Sequence, residues 1–345
     1  MIDLLLVLTL AMPQQVPFDT DTAFAVGRGT RLKLHNQGGD ITIKAWDRDQ
    51  VRIQGDHASR TVVDAEIRGQ VLEISAKGRR GLASMVDYQV TVPSWMAVDV
   101  GGMYAEISIE GTSAAIKAET LEGNIVVRGG ADNVSLHTIN GLIDLSGARG
   151  RIELNAVSDD IRVTDVRGDL IVESVSGSID MRQVDAASVD AQTISGDIVF
   201  DGRIAAAGSY SLVSHSGDVH VAVPEGTNAT VSVSSATGDI STSFDVKSER
   251  ASRRRQTYRL GNGGANIDIE TFSGDVDLLR PSELVGRRSE ADAKAKAKIK
   301  RPNRPGGERE PPDDDDRDDD HADTHHADTH HAGAHNDDNA WRTER

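Results

Sequence analysis

No cysteine occurs among the 345 residues. Disulfides, thiolate metal sites and a lipid-anchoring cysteine are therefore excluded, while the compartment stays open. Aromatic residues make up only 3% of the chain, which argues against stacking platforms for sugars or nucleobases. Basic residues are also in deficit, 38 against 55 acidic, for a formal charge of −17. That balance argues against nucleic acid as a partner and leaves no basic face for anionic lipid. Long apolar runs are missing too. Leu4 to Ala11 has the length of a signal-peptide core but is too short to span a bilayer as a helix. Asp3 stands where a basic n-region is expected, as it would if translation began further upstream. Residues 1–15 are accordingly expected to be a signal peptide, the protein exported to the periplasm or cell surface, and the mature chain free of an integral membrane segment.

What the chain has in abundance is one repeated turn. "TISGDIVF" (193–200) returns as "TLEGNIVV", "TINGLIDL", "SVSGSIDM", "SHSGDVHV", "SATGDIST" and "TFSGDVDL". Ten apolar residues from Val98 through Ile107 and Ile116 to Ile179 follow one another at intervals of nine. A second small or apolar residue stands two places after each, which marks one face of a strand. The register continues through Val189, Ile198, Tyr210, Val219, Val231, Ile240, Ile267 and Val276.

Alternate units carry the quoted turn, with Gly123, Gly141, Gly177, Gly196, Gly217, Gly238 or Gly274 two places before the apolar residue. Asp159 replaces glycine in one copy and is expected to take a left-handed backbone. The intervening corners carry Ala114, Asp132, Gly150, Gly168 and Ala187. Two strands and two unlike corners per period of about 18 residues predict an all-β fold, a flattened parallel β-solenoid. An antiparallel meander would show the same apolar pattern. A column of Thr120, Thr138, Ala156, Ser174, Thr193, Ser214, Ser235 and Thr271 should point inward at one corner. Its hydroxyls are expected to bond to one another or to corner backbone groups, since no adjacent base makes them nucleophiles.

The stretches "FAVGRGTRLKLHNQGGDITIKAWDRDQVRIQG", "VTVPSW", the serial "SGD" turns, "VAVPEGTNATVSVSSATGDI" and "GNGGANIDIETFSGDVDL" together resemble the DUF4097 family of candidate adhesins, or toast-rack domains. The resemblance covers roughly Phe24 to Leu279 and rests on structural signatures. It implies an envelope-associated bacterial β-solenoid without known enzymatic activity, and it supplies no functional residues to carry over.

Residues 18–97 read as strands capping the stack, with "SAKGRRGLASMVDY" as a loop, and residues 98–280 as the repeat solenoid. "VKSERASRRRQTYRLGNGG" is a polar excursion whose tip, Arg253 to Arg255, is a solvated loop or an anionic docking site. Residues 281–345 should form a disordered, charged tail, because they carry too little apolar surface to offset ordering entropy. Deleting the tail should leave the folded domain intact.

Three groups invite a chemical reading. His321, His325, His326, His330, His331 and His335, with Asp323 and Asp328, could bind zinc, nickel or copper weakly, or could be a solubilising repeat. Asp197, Asp218, Asp239 and Asp275 could line a calcium edge, but capping backbone amides in turns accounts for them better. Asp159 and Asp160 are neighbours in sequence and so poorly placed as an acid/base pair. The sequence has no phosphate loop, no zinc-protease motif and no nucleophile elbow, so neither enzymatic activity nor a cofactor is expected.

The outward residues Ser108, Lys117, Val126, Ser135, Asp144, Glu153, Arg162, Ile171 and Asp180 predict a broad, mixed face. Such a face suits many weak contacts with an envelope polymer or protein. The expected function is a non-catalytic adhesin-like module at the cell envelope. A self-assembling filament scaffold and an envelope-stress sensor are the alternatives.

Overall fold

Alternation of inward aliphatics with outward polar residues favours strands that bury one face, and the turn residues return the chain every nine positions. The computed structural model describes residues 18–78, 85–246, 248–251 and 254–284, with the side chains of 248–251 left out. These residues fall within one compact unit, Met1–Ala295. They form 25 strands hydrogen-bonded into one sheet. It is a parallel β-solenoid and not a meander. Ile116 pairs with Val134 and Val134 with Ile152 on one wall, while Ile125 pairs with Ile143 and Ile143 with Ile161 on the other. Each partner lies one period further along the chain.

The two walls close on a single apolar core. All ten repeat residues from Val98 to Ile179 are buried, each contributing about 1.5–3 kcal/mol relative to an exposed side chain. Toward the C-terminal half the period stretches: Leu170 pairs with Val189 and Val189 with Tyr210. The extra residues run on as strand, with register shifts between Arg182 and Val184 and between Ala186 and Ser188. Tyr210 anchors this wider part. Its hydroxyl donates to the Ala186 carbonyl and accepts the Ala205 N–H, both at 2.7 Å, and its ring meets Phe200 edge-on at 5.7 Å.

The order of the stack departs from the order of the chain at both ends. Arg31–Gly38 lies between Val71–Gly78 and Val98–Tyr104, and Ile41–Trp46 between Val86–Pro93 and Ile107–Glu110. At the other end Ala265–Ser273 is inserted between the 209–216 part of Ile198–Ser216 and Ala229–Ser235. Val276–Leu279 likewise separates Val219–Ala222 from Ile240–Thr242. Sequential stacking through Val219, Val231, Ile240, Ile267 and Val276 is thus corrected. The last coil of the chain is not the last coil of the solenoid.

Antiparallel strands cover three of the outer strands, while Ile240–Thr242 pairs among the described residues only with Val276–Leu279. Thr61–Arg68 lies on Val71–Gly78, Gln50–His57 on Val86–Pro93, and Arg255–Leu260 on Ala229–Ser235. These breaks in the parallel register blunt the stack against further coils. Two sequence-based limits also move. The segment read as a loop around residues 75–88 is strand up to Gly78 and again from Val86. Residues 281–284, assigned to the tail, form a short helical turn whose Leu284 is buried against Ala222 and Leu279.

Candidate binding surface

The glycine corner is the most regular feature of the molecule, and its regularity is steric. A Cβ on Gly141 would lie 2.0 Å from the Gly123 carbonyl oxygen of the coil below, one on Gly196 2.3 Å from that of Gly177, and one on Gly217 2.0 Å from that of Gly196. Gly123, Gly177, Gly238 and Gly274 meet their lower neighbours at comparable distances. At these seven glycines an added side chain would collide with the backbone of the neighbouring coil.

The same carbonyls receive the buried hydroxyl column. Thr138 Oγ1 donates to Gly123 O at 3.2 Å, Thr193 Oγ1 to Gly177 O at 3.0 Å, Ser214 Oγ to Gly196 O at 3.0 Å and Thr271 Oγ1 to Gly217 O at 3.0 Å. The column has two gaps: Ala156 carries no hydroxyl, and the buried Ser174 Oγ in the coil above Asp159 has no partner. Asp159 does not adopt the left-handed backbone expected of it. Among the described residues the non-glycines with positive φ are Asp132, Asp165 and Gln183, so Asp132 and Asp165 are the aspartates that take that conformation.

Replacing Thr138 by valine keeps the volume and removes the donor. Thermal or denaturant unfolding should show a loss of about 1 kcal/mol. Ser174→Ala, which removes a hydroxyl without a partner, should cost much less. Equal losses in the two variants would contradict the bonding pattern.

One residue past the corner, polar side chains cap the amides of the next coil. Asn124 Oδ1 accepts from Leu142 N at 2.7 Å, Asp160 Oδ1 from Ser178 N at 2.9 Å and Asp197 Oδ1 from Asp218 N at 2.9 Å. Asp218 serves Asp275, and Asp275 serves Asp239, in the same way. These aspartates therefore hold coil to coil, and Asp160 is engaged apart from Asp159. No group of three or more metal-ligating residues occurs among the described residues. The tail histidines (321, 325, 326, 330, 331 and 335) lie outside the described residues, as does Arg253. Arg255 is paired with Glu270 at 3.0 Å.

The outward face is shallow and mixed in sign. Asp144, Arg162, Asp180 and Arg182 border an open depression of about 530 Å³ on one wall, where Arg182 Nε donates to Asp180 at 3.0 Å. A juxtaposition that sequence reasoning missed lies further along the same wall. His220 Nδ1 is 3.0 Å from Asp277 Oδ2, and the Ser241 hydroxyl donates to Asp277 Oδ1. The aspartate sits between serine and histidine, so the imidazole is not placed to take the serine proton as a hydrolytic triad requires. These three residues share a column only because the last coil is inserted between the other two. Spacing along the chain carries no signal for that.

A family model described as Toastrack DUF4097 matches residues 30–279. No curated protein matches the chain. Among solved structures, a candidate cell adhesion protein from Clostridium sporogenes is 9% identical, with 76% of this chain and 99% of that chain covered and a TM-score of 0.21. A candidate adhesin from Bacteroides fragilis is 13% identical, with 75% and 96% covered and a TM-score of 0.35.

Proposed function

The chain belongs to the Toastrack DUF4097 family, and on that basis we propose that it is a non-catalytic, exported, adhesin-like module that contacts a polymer or protein of the bacterial cell envelope. One observation carries this reading. The polar groups of the corner, Ser174 apart, hold coil to coil, and the walls offer long columns of short, mixed side chains around shallow depressions. Such surfaces favour many weak contacts over one tight small-molecule site. The signal-like run Leu4 to Ala11 supports export. The antiparallel covers at both ends favour this role over filament growth by end-stacking. So do the charges on the edge strand Thr61–Arg68, where Asp64 pairs with Lys77 and Glu66 with Arg68.

Incubating the purified protein with peptidoglycan and other envelope fractions tests the proposal. Retention that weakens with salt, with no soluble fragments released, is the expected result. Release of fragments would overturn the non-catalytic reading. Filaments without retention would favour a scaffold.

A further inference from the structure

An apolar ridge runs along the edge of one wall, beside the glycine corner. It consists of the residue after each buried hydroxyl: Leu121, Val175, Ile194 and Phe272 are 44%, 40%, 54% and 56% exposed. Together they are half of the large hydrophobic residues that the described surface exposes strongly. Met103, Ile139 and Val157 fill the same column at intermediate exposure. His215 continues it, stacked on Phe272 with ring centres 5.1 Å apart. Eight coils at a spacing of about 4.8 Å make the ridge roughly 34 Å long. Isolated exposed aliphatics need no explanation, whereas a contiguous stripe does.

A groove of about 460 Å³ accompanies the middle of the ridge, lined by Asn155, Glu173, Ser174, Val175, Gln192 and Ile194 among others. Ser174 is 6% exposed and its Oγ has no partner. Thr193 in the coil above donates to the Gly177 carbonyl, and Ala156 in the coil below carries no hydroxyl. Carboxylates border the ridge on both sides: Glu173 on the wall, with Glu119 and Glu270 paired to Lys117 and Arg255, and past the corner Asp160, Asp197 and Asp218, each with Oδ1 capping an amide. The one polar partner of Glu173 among the described residues is the neutral Asn155 amide.

We propose that the ridge and groove bind an extended segment of a partner protein in which lysine or arginine alternates with aliphatic residues. An extended chain turns successive side chains to opposite sides, so its aliphatics can lie on Val175 and Ile194 while its cations reach the acidic borders. A second copy of this chain would bring carboxylates against carboxylates, on a molecule already at −17. An anionic bilayer would meet the same repulsion. The inference rests on the binding role proposed above and names its site and partner class.

The test uses the full chain and two labelled decapeptides, one alternating lysine with valine and one alternating lysine with serine, compared by fluorescence anisotropy. The lysine–valine peptide should bind at least tenfold tighter. The Val175→Ser/Ile194→Ser double variant should lose that preference, and Val126→Ser on the other wall should keep it. Equal affinity of the two peptides for the unaltered protein would overturn the inference without recourse to any variant. A dimer in sedimentation that Ile194→Ser dissociates would overturn it in favour of a second copy. Retention on envelope fractions with no peptide preference would overturn this inference while leaving the envelope role standing.

Discussion

Gly196→Val is expected to cost at least about 3 kcal/mol, near the upper end of single-substitution effects. The cause is a collision between backbones. The new Cβ would lie 2.3 Å from the Gly177 carbonyl oxygen and 2.5 Å from its carbon, atoms held in place by the coil beneath. Relief requires parting the two coils, which would also strain the Thr193 and Ser214 bonds to the corner carbonyls. At φ +157° Gly196 is nearly extended, so space is what the position demands, more than a left-handed backbone. Gly226 supplies the contrast: its φ is +79° and no atom lies within 4 Å of where its Cβ would stand, so Gly226→Ala should lose only about 1 kcal/mol through conformation. Alanine at 196 should approach the valine effect, because the first carbon already collides. Chemical denaturation of the unaltered protein and the three variants measures this. Gly196→Ala no more destabilised than Gly226→Ala would refute close stacking at the corner.

A chain ending at Gly264 should lose far more than one coil. The residues removed include the buried Ala265, Ile267, Ile269, Val276 and Leu278, but position matters more than number. Ala265–Ser273 is the parallel neighbour of Ala229–Ser235 and joins it to the rest of the stack. Without it, Ala229–Ser235 and the antiparallel Arg255–Leu260 have no wall to rest on. The expected result is a folded stack ending near Ala222, with residues 229–260 unprotected in hydrogen exchange and a markedly lower melting temperature. A chain ending at Leu284 is the reference and should melt as the full protein does. It must keep Leu284, which packs on Ala222 and Leu279, and Arg280, which pairs with Glu225 at 3.1 Å. Undiminished protection at Val231 and Val233 in the shorter chain would refute the inserted order.

Much of this architecture is legible along the chain because its causes are local. The pleat sends alternate residues to opposite faces, so the nine-residue spacing from Val98 to Ile179 sufficed to place the core. The glycine before each strand marks the tight corner, and the hydroxyl five places before the apolar residue marks its partner. Even the substitution at Asp159 is visible, although the unpartnered Ser174 in the next coil appears only in the folded chain. What the sequence by itself did not determine is which coil lies on which. Every coil presents the same inward aliphatics, so periodicity cannot distinguish Val219 stacked on Val231 from Val219 stacked on Val276. Tertiary structure decides that order through long-range strand pairing: Arg255–Leu260 pairs antiparallel with Ala229–Ser235, and Ala265–Ser273 then pairs parallel with the same strand inside the stack. The same long-range pairing brings His220, Asp277 and Ser241 into one column and aligns Leu121, Val175, Ile194 and Phe272 into one ridge. Each of those residues looks ordinary in its own turn, and only stacking at the coil spacing makes them a surface.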